Sequence, residues 1–138
     1  MKEPRGIRNN NPLNIRKGNN WKGERYPQND PSFEQFVSME MGLRAGFILL
    51  RNYQKKTLPM NRRANSIRKI IARWAPTCEN NTIAYINMVT KRTGILPDEL
   101  IDFSDKRKMV ALVEAMCFVE CGVSIDIRII ESAYDLVA

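Results

Sequence analysis

The sequence predicts a mostly α-helical fold (α+β) with a small β-hairpin lobe, on three observations. Apolar residues recur at helical spacing through most of the chain beyond residue 38. The first 37 residues are instead rich in Asn, Gly and Pro, with short stretches that alternate apolar and polar side chains. Residues 109–119, M-V-A-L-V-E-A-M-C-F-V, are apolar on nearly every face, the mark of a central helix enclosed by others. The 138 residues carry no internal repeat or low-complexity tract. They are expected to form one domain, with a hairpin lobe over 1–37 and a helical lobe over 38–138.

In the first lobe, Leu13-Asn14-Ile15-Arg16 reads as a strand, Lys17-Gly18-Asn19-Asn20 as a turn, and residues 32–37 as a second strand. A helix is expected over 39–56, with Gly42 and Gly46 as its weak points, because glycine is a poor helix former. Another spans 64–74 and is stopped by Pro76, which cannot donate to the helix ladder. Asn81 or Thr82 can cap a third helix running to about Arg92, with Gly94 as its stop, and residues 97–100 suggest a short helical turn. Ser104 or Asp105 caps the central helix and Gly122 ends it. Ser124 is then placed to cap a last helix reaching about Val137.

Composition narrows the chemistry. The chain contains no histidine, which excludes Ser-His-Asp and Cys-His catalysis, His-ligated zinc and proximal-His haem. Three cysteines, Cys78, Cys117 and Cys121, form no C-x-x-C pair and fall short of a four-ligand zinc site. They read as buried, reduced thiols of a protein made in a reducing compartment. No metal or cofactor is therefore expected. No apolar run approaches the ~20 residues that span a bilayer, and the N-terminus opens no signal peptide, so neither membrane insertion nor secretion by a leader is expected.

The formal net charge is +7, unevenly spread. Residues 1–25 hold seven basic side chains against two acids, and residues 51–75 hold eight and none. From Asp98 onward nine acids face four bases. Such asymmetry points to a polyanionic partner, either nucleic acid or an acidic cell envelope. Arg62, Arg63, Arg68, Lys69 and Arg73 would be spread around their helix rather than concentrated, and no nucleic-acid-binding motif is present, so nucleic acid is the less favoured partner.

One residue stands out. Glu120 continues the stripe of Met109, Val113, Met116 and Cys117 to the C-terminal end of the central helix. That position, at the unfavourable end of the helix dipole and among apolar neighbours, suits a general acid.

The segment A-L-V-E-A-M-C-F-V-E-C-G, residues 111–122, resembles the helix of lytic transglycosylases and goose-type lysozymes that carries the catalytic Glu at its end. Ile70 to Pro76, I-I-A-R-W-A-P, is similar to their A-Y-N-A-G region, and residues 80–89 to the E-T-x-x-Y-V-x-x-V helix that follows it. The opening R-G-I-R-N-N-N-P-L-N-I-R, residues 5–16, with Trp21-Lys22-Gly23, closely resembles the start of phage virion-associated lysozyme-like proteins. In ordinary transglycosylases the Glu helix precedes the hairpin. Here it comes last, so the resemblance implies a circularly permuted lysozyme-like fold. Leu13 stands where relatives usually carry Gly, Cys121 replaces a small polar residue, and Ala75-Pro76 replaces the Asn-Ala-Gly.

The resemblance implies a peptidoglycan-degrading glycosidase, a muramidase or lytic transglycosylase, with Glu120 as the general acid and the glycan strand between the lobes. Asn11, Asn14 and Tyr85 are candidates to hydrogen-bond sugar groups, and Trp21 or Trp74 to stack on a sugar face. Hydrolysis needs a second carboxylate, and Glu24, Asp30 and Glu34 are all available, with nothing in their spacing to select one. The protein is expected to be made in the cytoplasm and to act on the wall as a virion component or after lysis, beside other virion proteins. A non-catalytic virion structural or wall-binding protein of the same fold is the alternative.

Overall fold

The computed structural model describes residues 3–76 and 79–137. Cys78 lies outside them. Six α-helices follow one another: α1 Arg5–Arg8, α2 Met39–Tyr53, α3 Ile67–Trp74, α4 Glu79–Thr93, α5 Lys106–Cys121 and α6 Ile127–Asp135, with a 3₁₀ turn at Met60–Arg62. No helix among the described residues is long and apolar enough to cross a membrane.

The central position of α5 follows from its sequence. Met109, Val110, Leu112, Val113, Ala115, Met116 and Cys117 are all buried, and α1, α4 and α6 pack around them. Asp105 caps α5 by accepting from the Lys108 N–H, and Gly122 ends it in the left-handed region at φ 73°. α6 packs on α2 and α5, and α3 on α4. The cap of α6 is Asp126, two residues beyond Ser124, so the helix begins at Ile127. α2 is shorter than its apolar pattern suggests and stops at Tyr53, and residues 97–100 form a turn without helix.

The β-hairpin expected in residues 1–37 is not formed. Among the described residues there is no strand, only isolated antiparallel bridges between Arg16 and Phe33 and between Glu24 and Phe36. The backbone of this lobe is satisfied by a few scattered cross-chain bonds, such as Lys17 N–H to the Ser32 carbonyl and Glu34 N–H to the Ile15 carbonyl, and otherwise largely by side chains. Asn11 is fully buried: its Nδ2 donates to the Ile15 and Glu34 carbonyls and its Oδ1 accepts from the Ile15 N–H. Gln35 accepts through Oε1 from the Asn29 and Asp30 N–H groups, and Asp30 accepts from those of Ser32 and Phe33. Asn, Gln and Asp side chains thus give the lobe a polar core. They compete for the very groups a ladder needs, so the alternating pattern stays irregular.

The lobe docks on α2 where Gly42 and Gly46 leave a groove one helical turn long. A Cβ on Gly42 would lie 1.8 Å from the Asn10 carbonyl oxygen, and one on Gly46 2.3 Å from Leu13 Cδ1. The two weak points of the helix are the seat of the lobe.

Candidate functional site

Three elements converge on Glu120. The side chain lies half-buried in the last turn of α5. From α4, the buried Tyr85 hydroxyl donates to Glu120 Oε2 at 3.0 Å. From the N-terminal lobe, Asn14 Nδ2 donates to Oε1 at 3.2 Å and to the Glu120 carbonyl at 3.4 Å. Burial, and then the neighbouring Glu120 charge, push the Tyr85 phenol far above its ordinary value, so it remains a donor at every working pH.

Each partner is fixed by its own surroundings. α4 is clamped to α5 by Arg92, which pairs with Glu114 through two 2.8 Å bonds and lies 3.9 Å over the Phe118 ring. Asn14 adopts φ 54°, a left-handed conformation that Asn tolerates better than most residues. The Cys121 thiol, pushed up to about 11 by burial and then by Glu120, stays protonated and donates to the Pro12 carbonyl at 3.1 Å. Gly6 permits this closeness, since a Cβ there would fall 2.6 Å from Cys121 Sγ and 2.9 Å from Asn14 Oδ1. Neither Gly6 nor Cys121 carries a sequence signal of this role. It arises only when the two ends of the chain meet.

Beside Tyr85 opens an apolar groove of about 440 Å³ between α4 and α5, lined by Asn81, Ala84, Tyr85, Met88, Phe118 and Val119. Glu120 does not line this groove itself; Tyr85, one of its lining residues, links it to the carboxylate.

The remaining candidates separate. Asn11 is consumed by the lobe's backbone, and Trp74 packs edge-on against Tyr53 with ring centroids 6.4 Å apart. Trp21 is half-buried against the core, its Nε1 buried without a partner among the described residues. Asp30 accepts from Arg5 at 2.6 Å and from Asn9 at 2.9 Å, and chiefly the Arg5 bond holds its carboxyl well below the ordinary range. Among the described residues no set of carboxylates and thiols is grouped to hold a metal ion.

Glu24 and Glu34 form a carboxyl pair. Glu34 is 4% exposed, and its Oε2 has no partner among the described residues. Burial, then the hydrogen bond and charge of Glu24, push it up to about 7, with Lys17 acting against them. On Glu24 partial desolvation acts upward, but hydrogen bonds to Glu34, Tyr26 and the Trp21 N–H outweigh it and leave that carboxyl lowered.

The pair has a consequence for stability. The unfolded chain releases the Glu34 proton near its ordinary value, whereas the folded chain keeps it to about 7. Between those values the folded state binds more protons, so stability is full at the acidic end and falls as pH rises to about 7. The expected loss from Glu34 is about 3 kcal/mol, offset in part by the lowered carboxyl of Glu24. Glu34→Gln should flatten this decline in urea unfolding at pH 5 and pH 8. An unchanged slope would exclude Glu34 as its source.

No family model matches the sequence. Protein P5 of Pseudoalteromonas phage PM2 is 42% identical over 122 residues, covering 86% of this chain and 71% of that protein. With that identity over that share of both, the chain belongs to the family of this phage protein.

Proposed function

We propose that the protein is a peptidoglycan glycosidase of circularly permuted, lysozyme-like fold, with Glu120 as its general acid. The observation that carries this reading is the placement of Glu120. It lies in the last turn of a buried helix, Tyr85 and Asn14 hold its two oxygens, and the same Tyr85 lines an apolar groove. A general acid must be fixed within hydrogen-bond reach of the bond it protonates, and two directed donors fix it. In the proposed reaction Glu120 gives its proton to the glycosidic oxygen between two amino sugars.

The second step favours the lytic transglycosylase course. Asp30 is occupied by Arg5, Asn9 and two backbone N–H groups, Glu24 accepts from the Trp21 N–H and the Tyr26 hydroxyl, and Glu34 is buried beside it. With none of these free to activate water, Glu120 itself takes the proton of the sugar hydroxyl that closes the anhydro ring. Tyr85 and Asn14 act as positioning residues for the acid. The +7 charge suits the carboxylates and phosphates of a cell wall.

Purified protein and Glu120→Gln, incubated with peptidoglycan, test this by mass spectrometry of the released muropeptides. Anhydro ends are expected from the wild type, whereas reducing ends would mean hydrolysis. No release, with the protein retained on sedimented wall, would establish the non-catalytic wall-binding alternative.

A further inference from the structure

The N-terminal lobe carries a second concavity, of about 370 Å³, with three arginines on its walls, Arg5 and Arg8 from α1 and Arg25 from the loop beyond it. Its floor consists of Asn9, Asp30 and Gln35, each more than nine-tenths buried. That floor is internally complete. Gln35 Nε2 donates to Asn9 Oδ1 and Asn29 Oδ1, and Asn9 Nδ2 donates to Asp30. Asp30 also takes both bonds of the Arg5 fork, and Arg5 lies 4.5 Å over the Phe33 ring.

Arg8 and Arg25 differ from Arg5. Among the described residues neither guanidinium has an ion pair or a hydrogen bond, though the backbone beneath each is fixed. The Arg8 N–H donates to the Pro4 carbonyl. The Arg25 N–H donates to the Gln35 carbonyl, and the Arg25 carbonyl accepts from Gln28. Three arginines and one aspartate leave the pocket with a net charge of +2, and the only carboxylate is already saturated with donors. A cation is repelled there, and an apolar ligand would strand two charges.

We propose that this pocket is a binding site for a phosphate group, gripped by the Arg8 and Arg25 guanidiniums, while the floor, whose own amides are spent on one another and on Asp30, holds the backbone beneath them. Guanidinium forks match the paired oxygens of a phosphate, and a dianion balances the charge of +2. A carboxylate would neutralise only half of it. The pocket has room for one phosphate and its immediate substituent, and it stands independently of Glu120 and of the glycosidase reading.

The test follows the arginine Nε–Hε resonances of the protein by NMR during titration with inorganic phosphate, glycerol phosphate and acetate. Saturable shifts confined to the pocket arginines are expected with both phosphates. Tighter binding of inorganic phosphate would identify a free ion as the ligand, and tighter binding of glycerol phosphate an esterified group. Arg8→Gln/Arg25→Gln should weaken the phosphate dissociation constant at least tenfold, while exposed Arg51→Gln changes it less than twofold. Thermal unfolding of the double variant should match the wild type, because neither side chain supports the fold. Equal affinity for acetate, non-saturating shifts across all arginines, or unchanged binding by the double variant would each overturn the site.

Discussion

Glu120→Gln is expected to lower the rate of muropeptide release by about a thousandfold or more while leaving the fold intact. Loss of a general acid alone costs 10²- to 10⁴-fold, and in the single-acid course the same residue also serves as the base. The substitution keeps the size of the side chain and an oxygen to accept from the Tyr85 hydroxyl. Only the bond from Asn14 must rearrange, so unfolding stability should change by no more than about 1 kcal/mol. The decisive comparison is rate against stability in one preparation. A variant that unfolds like the wild type and still cleaves at the wild-type rate removes Glu120 from the chemistry.

Gly42→Ala should destabilise the protein by about 3 kcal/mol or more, although alanine is the better helix former by about 1 kcal/mol. The added methyl would meet the Asn10 carbonyl oxygen at 1.8 Å, with the Asn10 carbonyl carbon and Asn11 Cα within 3.3 Å. These are backbone atoms of a loop whose own amides are fixed, and they cannot rotate away. Gly46→Ala is the control. Its clash is with the tip of Leu13, which can change rotamer, so it should cost less. Chemical denaturation of the two variants ranks them, and the reverse order would show that the lobe does not rest on Gly42. Because Asn14 is carried by the same loop, Gly42→Ala should also weaken cleavage.

The helical body was legible in the sequence because its signals are local. The all-apolar run of 109–119, the stop at Gly122 and the break at Pro76 each depend on a few consecutive residues. Residues 1–37 were not, because their order depends on side chains reaching across the lobe. Asn11 to Glu34 and Gln35 to Asn9 are pairings that no period in the sequence announces. The four-residue α1 was missed because it is too short to show a period. At the candidate site the sequence points to Glu120 as the acid and to Tyr85 and Asn14 as sugar ligands. In the structure both turn to the carboxylate, one contact between helices and one from the lobe to a helix, and spacing within a single element encodes neither. The three candidate second carboxylates could be told apart only by their partners, since a pairing of Glu24 with Glu34 depends on how the loop closes.

The bond between Asn14 and Glu120 joins residues 106 positions apart, whereas most helix ends are capped within three. Closing so long a span is entropically unfavourable until the helices have gathered, so this corner of the molecule is expected to assemble after the rate-limiting step of folding. Leu13→Ala, at the docked face of the lobe, should then accelerate unfolding while hardly changing the refolding rate. Competence for chemistry would thus be acquired last in folding and lost first in unfolding. In the interval between, the helical body would already be built but its Glu120 carboxylate not yet held by Asn14.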